Sequence, residues 1–556
     1  MTPVNQRHPS ECISWVSSTK DARFSFLRSP ESEVFEEGAL RPGNAPSLCS
    51  REFCGLLSQY AVVGLLYGAL PGTISPFFTY YLNMEGMATT SATALLAIPW
   101  SLKFFIGVVS DNVPIFGYRR RPFMVFGWLL CSSCLCYMAF KPLPRPYFLD
   151  LSLRFKKPKD FAISEWKMLD PEAQSAGGIY VILMMFATLG YLIADCCADA
   201  VVVEYAQREP EETRGRSQTA IYTMRTISMT FAQILLAFGL SSPPYGGTFD
   251  YGLSFSEVML ILAIFAISVV PITWFCIKEH KYKAHSFHKY IHTLWDSVQS
   301  RAFYQIIAYN FCSSVCFGIT YVAYYPMTSY WIKASSFSIS LSAMIGNIVL
   351  AITLIFTGKY GLHWNWRFMV ATTAISIILM DALCTMMATF DVIRSQWYWL
   401  GIPIAENVPA GIAFIISTYV VVELAGEGNE GACYGLLTTV NNLGSPFAST
   451  ITKSLNAYFA VWSDDIRNDS MEARRDVAIT ICISYAFKLT SLIFLVWLPS
   501  QKRHVQMLKA KGTRNKYIGA FTVAYLLFAL IWSVTTNVFS IFESTKCFAI
   551  TGGCHS

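Results

Sequence analysis

The sequence predicts an all-α integral membrane protein made of two parallel six-helix bundles, with one extra C-terminal transmembrane helix. Three observations carry that prediction. Only 14% of the 556 residues are charged and 54% are hydrophobic, with a mean hydropathy of +0.41, whereas a soluble domain carries about 25% charged residues. Apolar runs long enough to cross a hydrocarbon core of about 30 Å as helices recur from Ser58 onward. Two stretches of the first half return, six runs later, in the second.

Taken in order, residues 1–57 are polar and mix Arg7, Arg23 and Arg28 with Glu31, Glu33 and Glu36. No basic start followed by an apolar core and a small-residue cleavage site is present, and the acids argue against a transit peptide. A disordered cytoplasmic tail is expected. Spans follow near 58–82, 88–111, 122–140, 178–203, 217–240 and 255–277, which make the first bundle. A basic linker, 278–302, leads to spans near 303–326, 337–357, 367–388, 398–423, 431–459 and 476–498. A second basic segment, 499–516, precedes the thirteenth run, 517–542, and a tail, 543–556.

Orientation comes from the loops. Arg119, Arg120 and Arg121 close the short loop after the second span, and Lys and Arg beside a span are retained in the cytoplasm. Loops on that side carry nineteen Lys and Arg against thirteen on the other. The sequon at Asn468 falls in a loop on the non-cytoplasmic side, where glycosylation occurs. If 517–542 crosses, Cys547 and Cys554 also lie outside and suit a small disulfide loop. The other cysteines, such as Cys131, Cys134, Cys196, Cys197 and Cys384, sit in apolar runs as small apolar residues. No zinc pattern occurs, and neither metal nor cofactor is expected. The net charge of +6 reflects the basic loops and implies no nucleic-acid partner.

Ala200–Ala206 (AVVVEYA) returns as Tyr419–Ala425 (YVVVELA), and Gly68–Pro76 is echoed by Gly318–Pro326. A shift of six spans in both cases describes duplicated halves around a central site, the plan of a secondary transporter. An enzyme is not expected: HExxH and GxSxG are absent and only eight histidines occur. A non-transporting receptor or scaffold is the competing class, and duplicated halves argue against it.

A charge at bilayer depth costs at least about 2.5 kcal/mol, which makes intramembrane ionisable residues functional candidates. Lys103, Asp195 and Arg225 are expected at similar depth, with Asp195 and Asp199 four apart on one helix face. An Asp195–Arg225 pair is expected to line the central cavity and exchange a proton or an anionic substrate; a permanent structural pair is the alternative. Asp199 and Glu204, nearer the cytoplasm, also suit a gate with Arg214 or Arg216. Lys488 is the best anion contact of the second half, while Asp381, Glu406 and Glu423 lie nearer the faces and suit snorkelling. Asn441 and Asn442, followed by Gly444 and Pro446, mark a helix with weakened backbone bonding, as do Pro71, Gly72 and Pro76 in the first span. Tyr80, Tyr81, Tyr324, Tyr325 and Trp331 suit an interfacial belt or stacking on a flat heterocycle.

Gly107-x-x-x-Asp111 followed by Gly117 and Arg119-Arg120-Arg121 resembles the loop between helices two and three of the major facilitator superfamily. More specifically, PWSLK (99–103), VSDNVPIFGYRRRP (109–122), ADAVVVEYA (198–206) and RGRSQT (214–219) look like the folate-biopterin transporter family. The resemblance covers roughly residues 60–500. It implies a facilitator fold that moves folates, pterins or related solutes, coupled to protons, by alternating access. Lys103, Asp111, Arg119, Arg120, Arg121, Asp195, Asp199, Glu204 and Arg225 match the family's charged motif positions, with Gly107, Gly117 and Glu423 assigned to the cytoplasmic gate. Relatives divide among folate, biopterin and S-adenosylmethionine, so the resemblance leaves the substrate open. A plasma-membrane rather than organelle location is expected.

Overall fold

The structure, a computed structural model, describes residues 38–43, 47–84, 86–155, 161–281, 287–334, 336–426, 428–456, 458–461, 463–539, 545 and 548. Cys547 and Cys554 lie outside the described residues. All the regular elements are helices. The first bundle comprises α1 (Arg51–Gly72), α2 (Gly86–Ser101), α3 (Lys103–Asn112), α4 (Arg121–Phe140), α5 (Glu172–Gln207), α6 (Arg216–Gly239) and α7 (Phe255–Cys276). After α8 (Phe287–Val298), the second bundle comprises α9 (Arg301–Gly318), α10 (Tyr324–Pro326), α11 (Ser336–Tyr360), α12 (Trp366–Thr389), α13 (Gln396–Leu424), α14 (Glu430–Asn456), α15 (Ser463–Asn468) and α16 (Met471–Thr490). The short α17 (Lys502–Ala510) and long α18 (Lys516–Phe539) end the chain.

Several boundaries move. The first helix begins at Arg51, seven residues inside the expected tail, because Ser50 Oγ accepts from Phe53 N and caps it while Phe53 and Leu56 are fully buried. Pro71 ends regular α-helix, and Ile74–Tyr81 continues with π-helical bonding, as the proline and glycine there predict. The second span is two helices, α2 and α3, broken at Leu102 three residues after Pro99. The seventh is also interrupted: α9 stops at Gly318, and a π-helical turn, Met327–Trp331, resumes after α10. By contrast α14 runs through Asn441, Asn442, Gly444 and Pro446 without a break, correcting the expectation of a broken helix there. Its neighbours α9 and α3 pack against it. The linker is not bare loop, since α8 lies within it.

Ten helices among the described residues are long and apolar enough to cross a membrane, fewer than the thirteen runs expected. The difference is α2/α3, which is split, α9, which carries Arg301, Gln305 and Asn310, and α14, which is polar. Within the first bundle α1 packs on α6 and α7, and α4 on α5 and α7; within the second, α9 packs on α14 and α12 on α13 and α16. The bundles meet through α3 against α14 and α6 against α11. Outside this seam α18 packs on α2, α9 and α14, so it touches both halves.

Candidate functional site

The break at Leu102 puts Lys103 at the first position of α3, facing α5, where Cys196 Sγ donates to its carbonyl oxygen at 3.5 Å. From there Lys103 Nζ reaches Asp195 Oδ2 at 2.8 Å and Asp199 Oδ2 at 2.5 Å. One helical turn separates the two acids, so one ammonium satisfies both. Tyr60 of α1 donates its hydroxyl to Asp199 Oδ1 at 2.5 Å. All three charged groups are buried, Asp195 at 0% exposure. Asp195 Oδ1, also buried, meets no hydrogen-bond donor among the described residues.

This corrects the expected Asp195–Arg225 pair. Depth alone left two cations available to Asp195, and the rotation set by the α2/α3 break gives it Lys103. Arg225 instead lies over the Tyr67 ring at 4.7 Å and the Trp100 ring at 5.7 Å, and forms no ion pair among the described residues. A guanidinium held by two aromatic faces keeps its hydrogen-bonding edge for a carboxylate. Lys103 is flanked by Trp100 at 5.6 Å and by Tyr434 of the second bundle at 5.4 Å, and the Tyr434 and Tyr222 hydroxyls are hydrogen-bonded. Both halves therefore reach the charge cluster.

Closer to the arginine loop the halves are shut. Gly107 lies against Gly431, and a Cβ there would collide with the Gly431 carbonyl. Asp111, hydrogen-bonded to Arg120 at 2.5 Å, accepts from the backbone amides of Gly431 at 3.3 Å and Ala432 at 2.8 Å. A carboxylate of the first bundle thus caps the N-terminus of α14 in the second. Tyr290 of α8 adds a donor to Asp111 at 3.1 Å. Gly117 has φ +82°, the conformation the turn before the arginines needs. The backbone amides of Arg119, Arg120 and Arg121 all donate to Glu279, which caps α4. Arg119 and Arg120 lie 3.7 and 3.9 Å from Glu204, and Arg120 lies 3.3 Å from Glu430.

The remaining expected gate residues sort differently. Arg214 pairs with buried Glu423 at 2.8 Å, so Glu423 is bridged rather than snorkelling, while Asp199 belongs to the Lys103 cluster. Glu209 accepts from the amides of Gly215 and Ser217, and burial raises its carboxyl pKa. Gln207 Nε2 donates to the carbonyls of Val422 and Ala425, both at 3.0 Å.

In the second bundle Lys488 is buried, 3.9 Å from Asp381, and over the rings of Phe317 and Tyr485 at 5.6 Å each. Tyr485 donates to Asp381 at 3.1 Å. A cavity of about 460 Å³ opens between α9, α12 and α13, with Asn310, Phe317, Phe414 and Asn441 on its wall. Asn442 is exposed. At the end away from the arginine loop, Asn468 is exposed at the end of α15, and its neighbour Asp469 is gripped by Arg394 at 2.7 Å and Arg474 at 2.8 Å. Trp331 is buried and donates to the Ile466 carbonyl, Tyr324 is half-buried and stacked on Trp399, and Tyr80 is exposed.

Sequence reasoning missed Tyr60, Tyr67, Trp100, Tyr434, Glu279 and Glu430. Tyrosines and tryptophans are common in apolar runs and carry no signal of their own. Glu430 had one: an acid just after Gly426 and Gly428 at the start of a span.

The BT1 family model matches residues 64–147, which hold Lys103, Asp111 and the arginine loop. The folate-biopterin transporter of a Synechocystis species is 24% identical over 476 residues, covering 82% of this chain and 83% of its own. Folate transporter 1 of Plasmodium falciparum is 22% identical over 422 residues, covering 74% and 73%. Among solved structures, a D-xylose-proton symporter of the major facilitator superfamily superposes with a TM-score of 0.55 at 12% identity, over 84% of this chain and 100% of that one. This chain is therefore a multi-pass membrane protein of the major facilitator fold, related in sequence to the folate-biopterin transporters.

Proposed function

We propose that this protein is a secondary active transporter that moves a folate, a pterin or a related flat anionic solute together with a proton, by alternating access, at the plasma membrane. The observation that carries the reading is the Lys103 cluster: two buried carboxylates share one ammonium, and one carboxylate oxygen, Asp195 Oδ1, is left without a donor. With both acids ionised Lys103 and its two carboxylates have a net charge of −1, and one proton on Asp195 would neutralise them and remove the uncompensated charge at Oδ1. Arg225, aromatic on two sides and with no carboxylate at ion-pair distance among the described residues, would take the carboxylate of the solute. The about 460 Å³ cavity of the second bundle, with Asn310, Asn441 and Phe414, offers amides and an aromatic face for a heterocycle. The names of the relatives support the same solute class.

In this cycle the proton and the solute each cancel one buried charge. Loading both lets the bundles rock past each other without carrying unpaired charge through the apolar core. Uptake of labelled folate, biopterin and S-adenosylmethionine into a transport-deficient cell, with and without an imposed pH gradient, tests the reading. Asp195→Asn is expected to abolish gradient-driven uptake while the protein still reaches the membrane. Normal pH-dependent uptake by that variant removes Asp195 from the coupling.

A further inference from the structure

The residues before α1 are threaded into the closed gate. Leu40 N and Arg41 N both donate to the Gln207 carbonyl at the end of α5, at 2.9 and 3.0 Å. The Arg41 guanidinium is ion-paired to Glu430, the first residue of α14, and the Gly38 carbonyl accepts from Arg214, itself bound to Glu423 of α13. Four residues therefore fasten to the first bundle through backbone and reach the second through side chains. Glu430 is fully buried and also meets Arg120 at 3.3 Å and Arg119 at 4.0 Å.

We infer that residues 38–41 are a strap that holds the gate shut, and that Arg41 is a positioning residue of the transport cycle, an inference that rests on alternating access as the working mode. The reasoning concerns what moves together. Arg120 is tied to Asp111 and the Arg41 backbone to Gln207, both in the first bundle, whereas Glu430 travels with α14. When α14 leaves α3, Glu430 must part from Arg41 and Arg120 in the same step. A buried carboxylate that loses its guanidinium is strongly disfavoured until water reaches it. The Arg41 contact therefore shifts the population toward the shut gate, and its loss would raise the open fraction by about tenfold, the weight of one charge-assisted contact.

Cys433, three residues into α14 from Glu430 and 1% exposed, reports the gate directly. In membranes holding the full-length protein, the rate of its alkylation by a membrane-impermeant maleimide, read by mass spectrometry, should rise about tenfold in Arg41→Ala, as just estimated. Arg41→Lys, which keeps the charge, should restore most of the protection. Cys131, fully buried in α4 and far from the gate, should stay protected in every variant. If Arg41→Ala does not accumulate, Arg41→Gln carries the same expectation. Unchanged reactivity at Cys433, or a rise at Cys433 and Cys131 together, overturns the strap. This readout needs no solute, so failure of the uptake experiment and failure of the strap are separate results.

Discussion

The two bundles hold their buried charges differently. In the first, Lys103 meets two carboxylates at 2.8 and 2.5 Å, with Tyr60 on one of them, and every member is buried. In the second, Lys488 stands 3.9 Å from Asp381, whose side chain is 18% exposed, and Glu406 Oε1 has no donor among the described residues. Halves that share a plan have diverged into one tightly bonded, fully buried cluster and one looser, partly exposed one. The contrast suits a division of labour: charge compensation in the first bundle, room for a solute in the second, where the cavity of about 460 Å³ lies.

The contrast is broken most severely at the lysines. Lys103→Met strands two buried carboxylates and is expected to cost about 3–5 kcal/mol, enough to prevent accumulation or lower the melting temperature of detergent-solubilised protein sharply. Lys488→Met is expected to cost less than that, because the contact to Asp381 is longer and the Asp381 side chain keeps some exposure. Equal losses at the two sites would mean that the clusters are equivalent.

A smaller separation is expected one shell out. Tyr60→Phe removes a donor from Asp199 in a dry site and should cost about 1–3 kcal/mol, whereas Tyr485→Phe, beside a carboxylate that water can reach, should cost less than about 1 kcal/mol. The same melting curves decide it.

Much of this was legible in the sequence, and the limits have physical reasons. The apolar runs gave the spans, because a bilayer admits few solutions for a chain of such hydropathy. Gly107, Asp111 and Arg120 were legible as one unit because their spacing joins a helix end to a tight turn. The partner of Asp195 was not. Hydropathy and register fix how deep a residue lies, but its azimuth depends on every kink before it, and the break at Leu102 turns Lys103 toward α5. At Asn441 and Pro446 the helix continues, with α3 and α9 packed on α14, although Pro446 has no amide to donate. Arg41 and Leu40 were read as tail because a strap needs only backbone and one cation, neither of which stands out in a polar segment.

The smallest effect lies at α17, which spans both halves at the gate end. Arg503 pairs with Glu211 at 2.6 Å, Lys502 donates to the Glu211 carbonyl at 3.0 Å, and Gln506 donates to Glu423 at 2.5 Å. Burial pushes the Lys502 ammonium down to about 8. Docked α17 therefore binds fewer protons than undocked α17 between pH 8 and the ordinary lysine value of 10.5, so docking tightens as pH rises through that window. A fluorophore on Met507→Cys should report the tightening, and Lys502→Met should weaken its pH dependence while leaving α17 docked, because burial lowers Lys509 of the same helix as well.

The carboxylate of Asp111 at the head of α14 has a consequence for how the cycle could be timed. Each time the bundles part, that helix is deprived of its end group and its first turn is free to fray; each time they meet, the turn is re-formed. On the proposed cycle, deuterium uptake at the Gly431 and Ala432 amides of the intact membrane protein rises with the open fraction of the gate, whatever solute is or is not being carried.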